Sequence, residues 1–256
     1  MRTLRNSAIF WAVMAAALSA AAIWEEKPFT QWSEKDVEKI LTDSPWAGKA
    51  SITHEKAGAD LGPVPDWKLI VSVRSATPIR QALARQQLLA GATASPDLES
   101  NLATPHPRYA VAIAKIPQFY LAQLTKSAQI ATMKLKGKAV NATDASITLL
   151  DKDGNVVQPP APRGRQGRAL VGVQIVPVAQ RGGGGGGFGG GGGGFGGGGF
   201  GEDKSGITAT LFLEFPKADP LTPADGEVEV TTVIDRYQIK KTFKLKDMVY
   251  KGALAF

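Results

Sequence analysis

The chain has 256 residues, of which 43% are hydrophobic, and a formal net charge of +7. This length and composition suffice for one large or two small folded domains and exclude wholesale disorder, while so mild a charge excess singles out no class of partner. The sequence contains no cysteine, which excludes disulfides, thiolate metal sites, thiol nucleophiles and iron–sulfur clusters.

Residues 1–22 have the organisation of an export signal. Arg2 and Arg5 give a positive start, and a short apolar run and several small residues follow. We therefore predict a signal peptide over residues 1–22, cleaved after Ala21 or Ala22, and a periplasmic or extracellular location for the mature chain. The alternative is an uncleaved anchor, but the apolar run is shorter than the roughly 20 residues that span a bilayer.

A helix is predicted over about residues 33–43. Ser33 can cap its first turn, Asp36 lies where the helix dipole favours negative charge, and Pro45 ends it. So short a helix is stable only when its apolar side is docked. We expect it to lie across the body as a clasp, with Trp46 as a buried anchor.

The next unit is a strand, a helix and a strand. Alternation over residues 67–74 predicts a strand with one buried face. Thr77 as a cap and Pro78 at the first helical position predict a helix that ends at Gly91. Five apolar residues are expected on its inward side: Ile79, Ala82, Leu83, Leu89 and Ala90. A second strand is predicted over residues 109–117.

From residue 131 onward the pattern predicts six strands joined by turns, the third over residues 171–178 and the last over residues 237–245. Strands at this spacing predict an α+β fold, mainly antiparallel β, built as a sandwich or an open barrel with one to three short helices. We expect residues 23–256 to form a single β-rich domain that begins with the clasp helix.

A low-complexity segment interrupts this region, because residues 182–201 contain only glycine and three phenylalanines. Glycine prefers no backbone conformation, so a disordered, glycine-rich insertion is predicted over residues 179–205. A sheet can carry such a loop, since each doubling of loop length costs only about 0.6 kcal/mol. The simplest interpretation is a tolerated loop without a specific role.

A second interpretation gives the loop and the last strand a role in binding. Seven basic residues form the candidate surface for an anionic partner: Arg163, Arg165, Arg168, Arg181, Lys240, Lys244 and Lys246. Export makes intracellular nucleic acid an unsuitable partner, so lipid headgroups or acidic polysaccharides are expected instead. The alternative role of the lysines is to prevent sheet edges from pairing between molecules.

No catalytic, cofactor or metal site is predicted. The chain has two histidines, His54 and His106, and they lie at a predicted strand end and in a proline-flanked loop. Without cysteine or a fixed carboxylate spacing they are more typical of surface histidines than of zinc ligands. No Gly-x-Ser-x-Gly turn is present to carry a serine nucleophile.

Three stretches carry a resemblance: residues 32–33 with 39–47 (WS and KILTDSPWA), 78–85 (PIRQALAR) and 243–252 (FKLKDMVYKG). They resemble recurrent signatures of uncharacterised exported bacterial proteins. The resemblance implies export and carries no known activity or functional residue. We therefore expect a non-enzymatic envelope or secreted protein that acts as a binding or structural module, its partner an envelope protein or an anionic surface. The alternative is an envelope hydrolase with an unrecognised site.

Overall fold

The computed structural model describes residues 23–56, 61–151, 156–157, 206–217 and 220–255. Within these ranges the helices are α1 (Ile23–Glu26), α2 (Glu34–Thr42), α3 (Thr77–Leu89), α4 (Leu98–Ala103) and α5 (Leu121–Gln129). The predicted signal peptide, the strand over 171–178 and the glycine-rich insertion lie outside the described residues.

The strands form antiparallel sheets. The described strands are β1 (Ala47–Lys49), β2 (Ser51–His54), β3 (Ile70–Val73), β4 (Tyr109–Pro117), β5 (Thr132–Leu135), β6 (Lys138–Asn141), β7 (Asp144–Leu150), β8 (Val156–Val157), β9 (Thr208–Phe215), β10 (Glu227–Ile234), β11 (Tyr237–Lys244), β12 (Val249–Tyr250) and β13 (Ala253–Leu254). A six-stranded sheet has the order β1-β3-β4-β9-β7-β8, a five-stranded sheet the order β2-β11-β10-β5-β6, and β12 pairs with β13. The sheets are open and do not close into a barrel, which confirms the predicted α+β, mainly antiparallel fold.

The two large sheets are joined where β1 and β2 follow each other, with only Ala50 between them. One hydrophobic cluster contains residues of both sheets, such as Val111 and Leu213 of the six-stranded sheet and Val230 and Ile239 of the five-stranded sheet. Burial of these apolar side chains is the main favourable contribution to the stability of the fold.

The clasp helix forms where the sequence predicts it. The Ser33 hydroxyl accepts a hydrogen bond from the Asp36 amide at 3.2 Å, and the Asp36 carboxylate accepts one from the Ser33 amide at 3.0 Å. This capping box satisfies two amide groups at the start of α2. Val37 and Ile40 are buried, and α2 packs against α3, β1 and β3.

Trp46 is a buried anchor, as predicted. Its side chain has no exposed surface, and its Nε1 donates a hydrogen bond to the Met248 carbonyl at 3.2 Å. The rings of Trp24 and Tyr250 contact it edge to face, with centroid distances of 5.1 Å and 6.3 Å. Segments near the two ends of the described chain therefore meet at this indole.

Three local predictions are wrong. The strand predicted to bury one face is buried on both, since all four residues of β3 are enclosed and helix α2 packs against it. In α3 the N-cap is Ala76, which has no side-chain cap, so the helix includes Thr77. Leu89 and Ala90, predicted to face inward, are exposed at the C-terminal end of α3.

Candidate functional site

The lysines predicted on the last long strand lie on an open sheet surface. We call this surface the lysine face: the side of the five-stranded sheet formed by Ser51, Thr53, Thr132, Lys134, Glu227, Glu229, Thr231, Gln238, Lys240, Thr242 and Lys244. These residues are exposed or half-buried, whereas Tyr237, Ile239 and Phe243 on the other side of β11 are buried. The predicted division of β11 into a polar and an apolar side is therefore confirmed as far as Lys244.

Glutamates on β10 partly offset the positive charge of the lysine face. The Nζ of Lys240 lies 2.6 Å from a carboxylate oxygen of Glu229. Glu227 is the cross-strand neighbour of Lys244, and Glu229 that of Lys134. Among the residues that the structure describes, Lys244 is exposed and makes no ion pair. The described lysine face therefore carries the ion pair of Lys240 with Glu229 and, in Lys244, an exposed ammonium group without an ion pair.

The other predicted basic residues are Lys246 and four arginines. Lys246 is exposed but lies in a 3-10 helix over Leu245–Asp247, because β11 ends one residue before that helix. Arg163, Arg165, Arg168 and Arg181 lie outside the described residues. Of the seven candidates, the structure brings together Lys240 and Lys244.

Both histidines bond to backbone carbonyls. His54 Nε2 lies 3.0 Å from the Gly62 oxygen, and His106 Nδ1 lies 2.8 Å from the Arg108 oxygen. Across the described ranges, no three His, Asp or Glu side chains are grouped so that they could hold a metal ion.

A chain of aromatic contacts begins at His54. Its ring lies 5.4 Å from that of Tyr237, and the Trp67 ring contacts Tyr237 at 5.2 Å and Tyr120 at 4.6 Å. Burial, followed by the neighbouring Tyr237 and Asp235, raises the pKa of Tyr120. These ring contacts, of which the two made by Trp67 are edge to face, connect the β2 edge of the five-stranded sheet to the turn after β4.

The six-stranded sheet carries a polar group that sequence reasoning missed. Arg74 follows β3, and its guanidinium carbon lies 5.7 Å from the centre of the Phe212 ring on β9. Its Nε touches no solvent and has no hydrogen-bond partner. Burial lowers the pKa of Arg74 to about 10. In the sequence, Arg74 follows an apolar strand, and strict alternation along that strand predicts that its side chain faces solvent.

Small residues allow Arg74 to lie across the sheet. Ser72, Ala112 and Phe212 are successive cross-strand neighbours on β3, β4 and β9, and Arg74 shares their side of the sheet. Neighbouring strands are about 4.8 Å apart, so the arginine side chain must cross β4 to reach Phe212. Alanines at that point leave room for it. Thr210, two residues before Phe212, is 2% exposed and its hydroxyl has no partner.

No family model, curated protein or solved structure matches this chain. None of the described helices has the length and apolar character needed to cross a membrane. A functional conclusion therefore depends on the side chains of the two sheets.

Proposed function

We propose that this protein is an exported, non-enzymatic component of the cell envelope that binds an anionic partner or serves as a structural module. The observation that carries the proposal is the lysine face. It is an open, hydroxyl-rich sheet surface on which Lys244 is exposed without an ion pair. Such a surface suits contact with an extended partner better than enclosure of a small substrate.

The export part of the proposal depends on the signal organisation of residues 1–22. Ile23 and Trp24, which follow the predicted cleavage point, pack against the hydrophobic core. N-terminal sequencing of the protein from the envelope fraction tests this part. A first residue of Ala22 or Ile23 is expected, and a chain that retains Arg2 and Arg5 would contradict cleavage.

The anionic partner would be held by charge, because the lysine face offers ammonium groups and hydroxyls. A basic residue near an anionic membrane contributes about 1 kcal/mol. Exposed charges are screened over about 8 Å at physiological ionic strength, so this attachment weakens as salt rises.

The test measures retention of residues 23–256 on vesicles containing phosphatidylglycerol and on an acidic polysaccharide. We expect retention at low salt that is lost near roughly 0.5 M salt, with no retention on phosphatidylcholine alone. The double variant Lys134→Gln and Lys244→Gln should reduce retention by roughly fivefold for each lysine removed. The two anionic supports distinguish a lipid partner from a polysaccharide partner.

Two matched variants make the test specific to this surface. Glu229→Gln releases Lys240 from its ion pair and should increase retention, because it raises the charge of the same face. Lys35→Gln with Lys39→Gln removes two exposed lysines from α2 and should leave retention nearly unchanged. Equal losses from the α2 variant and the lysine-face variant, or no retention of the parent protein, would refute binding through the lysine face.

A further inference from the structure

One side of the six-stranded sheet is buried without belonging to the hydrophobic core. We call it the outer face, and the strand register places Ser72, Ala112, Phe212 and Ser146 on it in one cross-strand row, with Thr210 in the next row. Ser72, Ala112, Ser146 and Thr210 are all buried. Ala112 and Phe212 nevertheless lie outside the cluster of apolar residues that forms the core. A sheet face is buried only when other residues pack on it.

The described helices do not account for this burial. Helix α5 packs against β7 and β9, but it also packs against β10 of the other sheet, and its Leu124 belongs to the core. It therefore lies between the two sheets. Helix α2 packs against β1 and β3, at the opposite edge of the six-stranded sheet. Arg74 lies over Phe212, whereas Ser146 on β7 is three strand spacings, about 14 Å, away from β3.

The hydroxyl of Thr210 indicates that the same cover lies outside the described helices. It is enclosed and has no hydrogen-bond partner among the described residues. Buried polar groups in native proteins nearly always have a partner. A chain segment that lies on the outer face would bring peptide groups with which this hydroxyl can form a hydrogen bond.

The path of the chain identifies the segment. The chain leaves the sheet at the edge strand β8 and re-enters it at β9, on the other side of β7. Every valine, leucine and isoleucine between Val157 and Ile207 lies within residues 170–178. Residues 158–169 can span up to about 40 Å when extended, whereas β8 and β4 are about 14 Å apart. This apolar stretch therefore has enough chain before it to reach the buried part of the outer face.

We propose that residues 170–178 pack on the outer face and complete the fold on that side. The small side chains of Ala112, Ser146 and Thr210 leave room for the larger aliphatic side chains of the segment. Removing those side chains from water is the favourable contribution that holds the segment in place. The apolar run of residues 9–18 and a second copy of the chain are the alternative occupants, and the experiment distinguishes them.

The first measurement is the reactivity of a single thiol, which is specific because the chain has no cysteine of its own. Ser146→Cys places the thiol on the outer face, where it should react slowly with a maleimide. The combined variant Val171→Asp, Val173→Asp and Ile175→Asp should raise that rate by at least about tenfold, because a charged segment no longer stays on an apolar surface. Ser127→Cys is the matched control on α5, buried between described elements, and should stay protected.

Three further controls identify the occupant. Replacing Phe188, Phe195 and Phe200 by serine removes the other large apolar side chains of residues 158–205 and should leave the thiol at position 146 protected. Protection should be equal in the 256-residue chain and in residues 23–256, which excludes residues 9–18 as the cover. Protection should also be unchanged on dilution, which excludes a second copy of the chain.

The second measurement is cross-linking, and it does not depend on the aspartate variant. With Ser146→Cys in place, a second cysteine is introduced in turn at each position from 170 to 178. A disulfide forms without distortion only when the two Cα atoms lie within about 7 Å of each other. We expect mild oxidation to join at least one of these positions to position 146 within the same chain. Phe195→Cys is the matched second site and should not cross-link.

The proposal is refuted if the thiol at position 146 reacts as fast as one placed by Ser51→Cys, at an exposed position. It is also refuted if the aspartate variant leaves position 146 protected, or if no position from 170 to 178 cross-links to it. Protection that requires residues 1–22, or that is lost on dilution, assigns the outer face to another occupant. If the aspartate variant exposes positions 146 and 127 alike, it has unfolded, and the cross-linking result decides.

Discussion

The two sheets place their positive charges in opposite surroundings. On the five-stranded sheet, Lys240 lies 2.6 Å from Glu229, and both side chains reach water. On the six-stranded sheet, Arg74 lies over Phe212 with its Nε buried, and no described carboxylate pairs with it. Water screens the first charge, whereas the second lies where a charge is expensive. Burial, and not the number of basic residues, therefore distinguishes Arg74 from the lysines of the five-stranded sheet.

The largest loss of stability is expected at Trp46, next to the segment that connects the two sheets. Trp46 immediately precedes β1 and is fully buried against Trp24 and Tyr250. Trp46→Ala should lower the free energy of unfolding by about 3–5 kcal/mol, as other truncations of buried aromatics do. Urea denaturation measures the loss, with the exposed Phe119→Ala as a control that should change it little. Parent-like stability of Trp46→Ala would show that the sheets do not rely on this anchor.

A smaller effect is expected where β1 approaches the buried side of β11. A Cβ added at Gly48 would lie 2.7 Å from Nζ of Lys241, whose ammonium is also 5.5 Å from the Phe243 ring. Only the end of a flexible side chain must move, so Gly48→Ala should cost about 1 kcal/mol. The cost should vanish in a Lys241→Ala background, which a double-mutant cycle measures. An equal cost in both backgrounds would exclude this contact as its cause.

The ion pair of the lysine face should contribute still less. Lys240 and Glu229 are both partly exposed, and ion pairs at the surface typically contribute between 0 and about 1 kcal/mol. Glu229→Gln should therefore lower the free energy of unfolding by less than about 1 kcal/mol, and by less in 1 M salt than at low salt. Chemical denaturation at the two salt concentrations measures both changes. A loss of several kcal/mol that is the same at both salt concentrations would show that this pair is buried from solvent.

The smallest effect on stability is expected at Asp36 and Asp225, two aspartates that each belong to the capping box of a helix. Hydrogen bonds from the backbone of Ser33 and of Thr222 lower the pKa of Asp36 and of Asp225 respectively. Because the folded-state pKa is lowered, each carboxylate stabilises the fold above its unfolded pKa, and this stabilisation is lost as the pH falls through the folded value. Unfolding at pH 7 and pH 3 should therefore show a smaller pH-dependent loss in Asp36→Asn and Asp225→Asn than in the parent. An unchanged loss would mean that these caps titrate normally.

Several elements were predictable because their signals are local. The cap of α2 lies in Ser33 and Asp36, and β10 and β11 show the alternation expected of strands with one apolar side. The short strands β1 and β2 and the helix α4 were missed. Strands of three or four residues, one of them containing glycine, have too few positions to show a period.

By itself, the amino-acid sequence determined the fold class, the long strands and the polar side of β11, because caps and hydrophobic period act between neighbours along the chain. Only the tertiary structure decided that Lys240 meets Glu229. It also decided that Arg74 lies over Phe212, a residue distant from it in the sequence. Strand order brings these residues together, and packing on both sides of the sheet buries β3. Both depend on which apolar faces can be buried against each other.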